Sequence, residues 1–571
     1  MGILDMPFLM REAIQMRLQK RVDDIENGYR QNVGIIGSSG VGKTQLLCEF
    51  FQSISRSSKL LPVYVKAETI DGHQLMQQWM GAVLSAVMLD RTLNIPKTLT
   101  GLLREAESII PKTVTAVKHL QRLLRQDKNS LAIKELLMLS GTLARETGKK
   151  VVLMIDEFQA LEKLSAPDPF LLLGKQMMID KEVLYVVTSS SIDRAREIFR
   201  EKLSLLFGNF EVLELVPFGY MEMEQYLATR MPAHRWSLEL KKFLFYMTDG
   251  EPLYLDLLLQ RLEQAEIREF PQDVSPSVLL DIFCQELFDR RGRIALLCEN
   301  RLEQCAHLTK YRGPYVRAVL ALSHGRHKLI PIAAFIEETV AETQKVLKRL
   351  VEDGLAIKNG SLYHIPDFLF RFWLREVFEK RHALFLPEER ILRKHLFDEL
   401  NRVLDLCARM TEEDLGLRVE TLLKEFRNDG VEIDQKKMVC PQFSEVVLLR
   451  HLPHSIFSLL GRGSRGRWLF YLSSEWIGES EIEKVVADAK RLFKIQRKVL
   501  IVLGGINQNA KLIAQEAKMQ LWDLRTLNGL LDLYDLPRII LPSHQGIHEP
   551  QEIHEPHVGS VAQDLPALEL R

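Results

Sequence analysis

The sequence predicts an α/β fold: a P-loop-type parallel sheet, followed by a helical lid, a winged helix-turn-helix and a C-terminal α/β domain. Three observations carry this. Gly37-Ser38-Ser39-Gly40-Val41-Gly42-Lys43-Thr44 fits the phosphate-loop pattern G-x-x-x-x-G-K-[ST]. Five short apolar runs, at 33–36, 61–65, 151–155, 183–187 and 212–216, alternate with helical patterns. Continuous β-branched runs of this kind describe a sheet covered on both faces, and so a parallel one. The run at 151–155 ends in Asp156-Glu157, which puts two acids at a strand end.

The phosphate loop has the context it needs. The strand at 33–36 precedes it, and Thr44 opens a helix whose apolar face is Leu46, Leu47, Phe50 and Phe51. Glycines 37, 40 and 42 let backbone N–H groups turn toward a phosphate, with Ser38, Ser39 and Val41 between them; the helix start adds partial positive charge. Lys43 is the candidate for the β- and γ-phosphates, and Thr44 for Mg²⁺. Asp156 is the second candidate for the metal, through water, and Glu157 the candidate for polarising the attacking water. The following strand ends in Thr188-Ser189-Ser190. Ser189 is the candidate sensor of the γ-phosphate; the alternative for these hydroxyls is the N-cap of a helix over 191–203. The expected ligands are ATP and Mg²⁺.

The remaining elements follow in order. Residues 1–32 read as an amphipathic helix leading into the first strand, and 70–147 as helices broken near Pro96 and Pro111. Helices return after Pro217, one of them starting at Gly250-Glu251-Pro252. Over 311–365, helical patterns give way to two apolar stretches around Asn359-Gly360, a hairpin signal. The helix at 342–353 would be the recognition helix, with Val346, Leu347 and Leu350 inward and Gln344, Lys345, Lys348 and Arg349 outward. The span 311–365 holds eight Lys/Arg against five Asp/Glu, an excess that permits phosphate contacts without requiring them. Residues 366–415 read as helical, 416–429 as a further helix, 456–460, 467–473 and 498–503 as strands, and 508–518 as a helix.

Composition bounds the rest. A chain of 571 residues predicts about three or four domains. Lys+Arg and Asp+Glu are both 76, so any polyanion-binding surface has to be local. The six cysteines, at 48, 284, 298, 305, 407 and 440, form no C-x-x-C pair, which argues against a zinc site or disulfide framework. No apolar run reaches the length of a membrane span, so a cytoplasmic protein is expected. The expected boundaries are 1–218 for the ATPase core, 219–305 for the lid, 306–380 for the winged helix, 381–540 for the C-terminal domain and 541–571 for a disordered tail with two Ile-His-Glu-Pro repeats.

The run Val-Val-Leu-Met-Ile-Asp-Glu-Phe-Gln-Ala-Leu at 151–161, the Thr-Ser-Ser at 188–190, Pro217-Phe218, Gly250-Glu251-Pro252, and Phe8 with Arg11-Glu12 resemble the AAA+-related archaeal and bacterial ATPase family. That family stands between the archaeal origin-recognition ATPases and the STAND signalling NTPases. The resemblance implies a lid, a winged helix and often a restriction-endonuclease-like domain after the core. It also implies an arginine before the last core strand, where this chain has Leu206-Phe207-Gly208-Asn209. Arg194, Arg196 and Arg200 lie near enough in sequence to substitute, or form the solvated face of a helix.

For the C-terminal domain, the resemblance places Glu420 on its first helix. The strand at 455–460 has no aspartate, and the Glu-x-Lys expected in the stretch 468–476 is replaced by Ser473-Ser474-Glu475, so a degenerate, non-cleaving nuclease fold is expected. The basic loop 461–467 reads as an exposed hairpin loop or a phosphate contact. Two functional expectations follow: an ATP-hydrolysing switch coupled to double-stranded DNA or a protein partner, or a nucleotide-gated scaffold without hydrolysis, acting as a homo-oligomer or on a partner.

Overall fold

The computed structural model describes residues 11–541, apart from residues 56, 465 and 493 and the stretches 68–70, 91–94, 165–167, 204–209, 267–272, 308–311, 383–387, 411–414, 434–435 and 453–455. The stretch 206–209 and the tail from 542 onward therefore lie outside the described residues. Leu541, assigned to the tail above, is buried in the C-terminal core. The chain falls into two compact units, one of Arg11–Gly37 with Lys43–Leu215, the other from Val216 onward together with Ser38–Gly42.

The first unit is built on five parallel strands: β1 (Asn32–Ile36), β2 (Leu60–Lys66), β3 (Lys150–Asp156), β4 (Val183–Ser189) and β5 (Phe210–Glu214). Their order is β2-β3-β4-β1-β5. β1, β3 and β4 are apolar along nearly their whole length because helices cover both faces, and every residue of β1 is buried. The last strand starts two residues earlier than its apolar run suggests. The register Asn32↔Phe210 pulls Phe210 into the sheet, where it packs on Phe199, and Phe199 stacks on Phe158. Between β2 and β3 stand helices Gly72–Asp90, Leu99–Ala106, Pro111–Arg125 and Asn129–Thr147, with Pro111 in the first turn of its helix, where its missing N–H is harmless.

The second unit begins with helices from Tyr220–Arg230 to Arg293–His307. Helices Arg312–Ser323, Leu329–Ile336 and Val340–Glu352 follow, then a hairpin of β6 (Ile357–Asn359) and β7 (Leu362–His364). Val346, Leu347 and Leu350 are buried, as the spacing in helix Val340–Glu352 predicts. The long helix Glu389–Arg409 completes the apolar core that these helices share.

The C-terminal part departs from the sequence reading in two ways. The helix expected to reach 429 ends at Glu425, because Asn428 takes the left-handed conformation (φ 62) and turns the chain into a strand. That strand, β8 (Asp429–Ile433), pairs antiparallel with β9 (Lys436–Cys440). The main sheet also has more strands than expected: β10 (Phe443–Leu452), β11 (Ile456–Gly463), β12 (Gly466–Ser473), β13 (Ile495–Val502) and β14 (Met519–Asp523), in that order. β10 to β12 are antiparallel, and β12 to β14 parallel. Both faces are buried, one against helices Leu415–Glu425 and Leu524–Leu533, the other against Glu479–Arg491 and Gln508–Glu516. Among the described residues, no helix is long and apolar enough to cross a membrane.

Candidate nucleotide-binding site

The register of the parallel sheet brings the candidate residues to one edge. Lys66 pairs with Asp156, Ile155 with Val187, and Ile36 with Ser189, so the ends of β1, β3 and β4 lie side by side. Beyond β1 the loop turns through Gly40 (φ 92) and Gly42 (φ 98), which only glycine adopts without strain. Helix Lys43–Ile54 starts directly after it, fixed by the buried Leu46, Leu47 and Phe50.

Lys43 is 4% exposed; its Nζ donates to the carbonyl of Gly37 at 2.9 Å and lies 3.9 Å from Glu157 Oε1. Thr44 donates its hydroxyl to Asp156 Oδ2 at 2.7 Å. Asp156 is fully buried and receives two further hydroxyls, Tyr64 on Oδ2 at 2.9 Å and Thr188 on Oδ1. Burial and the neighbouring Asp156 charge push the Tyr64 phenol well above its ordinary pKa, so it stays a donor. A buried carboxylate among hydroxyl oxygens is a hard-oxygen donor set, which fits Mg²⁺ held by Thr44 and, through water, Asp156.

Glu157 stands in the left-handed conformation (φ 57), uncommon for a side chain with a Cβ. Its N–H donates to Thr188 Oγ1 at 3.1 Å. Its Oε2 accepts three hydrogen bonds, from Ser190 N at 2.8 Å, Ser190 Oγ at 2.7 Å and Gln159 Nε2 at 2.7 Å. The hydroxyl beside Glu157 is therefore that of Ser190. Ser189 Oγ instead exchanges hydrogen bonds with the backbone of Ser191 at 3.1–3.2 Å. Tyr64, Gln159, Thr188 and Ser190 were not singled out as individual site residues in the sequence. Only the alternation of β4, which sends adjacent hydroxyls to opposite faces, carried a signal that separates Thr188 from Ser189.

The other candidates lie as follows. Arg194 pairs with Glu162 and Glu197, Arg196 with Glu214, and Arg200 with Glu201, at exposed or partly exposed positions. On helix Val340–Glu352, Lys345 pairs with Glu342 at 2.7 Å, Lys348 with Glu352 at 3.6 Å and Arg349 with Asp353 at 3.0 Å. Glu420 pairs with Lys424 at 2.6 Å, and Ser473 Oγ bonds the backbone of Glu475, an exposed residue. Among the described residues, the one group with metal-ligand proximity is Glu376, His395 and Glu399. Lys380 and Arg375 already neutralise Glu376, and Arg402 neutralises Glu399.

Strand order, glycine loop, buried lysine and hydroxyl-bound aspartate together form a parallel α/β core with a P-loop-type arrangement at one sheet edge. Residues 7–172 match the family described as AAA ATPase domain. Among solved structures, the chain is similar to the ORC2 protein of Aeropyrum pernix in its ADPNP-ADP complexes, with 14% identity, 71% of this chain and 97% of that chain covered, and a TM-score of 0.42. It is also similar to CDC6P of Pyrobaculum aerophilum (13% identity, 70% and 98% covered, TM-score 0.34) and to RuvB of Thermotoga maritima (13%, 63% and 93%, TM-score 0.32). No curated protein matches the sequence.

Proposed function

We propose that this chain binds and hydrolyses ATP, and that its nucleotide state is coupled to a partner through the winged helix formed by residues 312–364. The observation that carries the first half is the convergence of Lys43, Thr44, Asp156 and Glu157 on one sheet edge. Lys43 and the loop N–H groups would hold the phosphates, and Thr44 and Asp156 the Mg²⁺, which neutralises charge on the β- and γ-phosphates. Glu157 would take the proton of the attacking water, while Thr188 and Tyr64 keep Asp156 in place. The coupled partner is double-stranded DNA or a protein.

A second reading is a nucleotide-gated scaffold that does not turn ATP over. The three hydrogen bonds on Glu157 Oε2 favour it, since they hold the carboxylate against Ser190 and Gln159. Steady-state ATP turnover by the full chain, with and without duplex DNA, separates the two. Lys43→Ala should abolish ATP binding. Glu157→Gln should keep binding and reduce turnover by about 10²-fold or more, as expected for loss of a general base. Tight binding with equal, negligible turnover in wild type and Glu157→Gln would establish the scaffold.

A further inference from the structure

The exposed cations of helix Val340–Glu352 are matched by carboxylates one turn away, which leaves little net charge for a phosphate. A different surface of the same unit lacks such partners. Between the turn joining β6 to β7 and the C-terminal sheet lies a groove of about 480 Å³. Lys437, Arg497, Gln496, Trp468 and glycines 360 and 430 line it, and among the described residues no carboxylate does. The Arg497 guanidinium lies 4.7 Å over the Trp468 ring, and neither Arg497 nor Lys437 forms an ion pair among the described residues. The nearest acid by strand register is Glu432, opposite Lys437.

The hairpin is fastened to this surface. Ser361 N donates to the Gly430 carbonyl at 2.8 Å, Asn359 Nδ2 to the Glu432 carbonyl at 3.0 Å, and Glu432 N to Asn359 Oδ1 at 2.6 Å. A Cβ at Gly360 would stand 2.0 Å from the Gly430 oxygen, so only glycine lets the two backbones meet. Lys328 adds an ion pair to Asp429 at 2.7 Å. The hairpin is thus a wall of the groove rather than a free wing.

We propose that this groove is a contact site for the phosphate backbone of a nucleic acid, and that it contributes more to nucleic-acid affinity than the outward face of helix Val340–Glu352. Two cations without an ion pair among the described residues, one of them a guanidinium seated on an indole, suit phosphate oxygens. Gln496 adds an amide donor. The choice of ligand rests on the nucleic-acid half of the function proposed above; the location of the site does not depend on ATP turnover.

The test is fluorescence anisotropy of the full chain with short labelled duplex and single-stranded DNA across a salt series. The Lys437→Glu/Arg497→Glu variant should weaken binding about tenfold and flatten the salt slope by about two, one for each lost phosphate contact. Lys345→Ala/Lys348→Ala/Arg349→Ala should change both less. Because Arg497 packs on Trp468, Lys437→Glu alone, at an exposed position, is the second variant and should flatten the slope by about one. Unchanged slopes in both groove variants would overturn the site while leaving the DNA-coupled reading intact. A larger loss in the helix triple variant would overturn the ranking. No binding of either DNA by wild type that still binds ATP would overturn the nucleic-acid assignment, and polyglutamate competing better than DNA would point to an acidic protein instead.

Discussion

At the scale of single residues, the site is a network of hydroxyls around one buried acid. Thr188 holds both halves of the acidic pair, donating to Asp156 and accepting from the Glu157 amide. Thr188→Val keeps the shape and removes both bonds, leaving a buried carboxylate oxygen and an amide without this partner. It should cost about 1–3 kcal/mol in denaturant unfolding and weaken the Mg²⁺ dependence of ATP binding. Ser190 acts on Glu157 alone. Ser190→Ala removes one of the three bonds to Oε2 and should raise basal turnover a few-fold if those bonds restrain the carboxylate, as steady-state assay would show. An unchanged rate would mean that the Ser190 backbone N–H and Gln159 suffice to hold it.

At the scale of elements, the hairpin of β6 and β7 is the informative case. Asn359-Gly360 announced it, and the strands flank that turn as expected. No local pattern signals that its tip pairs with β8, because β8 itself hides at the end of a helical pattern. Asn359→Ala deletes two of the bonds to Glu432 and should destabilise the chain by about 1–2 kcal/mol. Hydrogen exchange should then speed up at the amides of Glu432 and Ser361 and change little in the sheet of the first unit. Exchange left unchanged at both amides would show that Asn359 does not hold the hairpin.

At the scale of the whole molecule, buried charge and buried histidine set the response to pH. Arg538 pairs with Asp532 at 2.5 Å and also with Asp249, while Arg371 reaches Asp532 at 3.2 Å. Arg538→Met leaves Asp532 with less compensation in a buried setting and should cost about 3–5 kcal/mol in thermal or denaturant unfolding. Nearby, burial pushes the His364 imidazole down to about 4, and His327 is lowered for the same reason. These rings stay neutral when folded and protonate when unfolded, so the unfolded chain binds more protons in acid. Their contribution is present in full above about pH 6.5 and is lost as pH falls toward 4. The midpoint of thermal unfolding should fall over that window, and His364→Gln should flatten the fall.

What the sequence determined by itself is the parallel core and its candidate site. Apolar runs alternating with helices indicate a parallel sheet covered on both faces, and the glycines of the loop permit the positive φ that the turn from strand to helix takes. Lys43, Thr44, Asp156 and Glu157 follow from that topology, because strand ends in register must meet. The tertiary structure decided which hydroxyl reaches which acid, since β4 splits Thr188 and Ser189 between opposite sides and leaves Ser190 for Glu157. It also decided that the cations of helix Val340–Glu352 are internally paired, while Lys437 and Arg497 have no ion pair among the described residues. Charges one helical turn apart can be read along a chain, but Arg497 and Lys437 stand sixty residues apart in sequence, and only folding brings them to one groove.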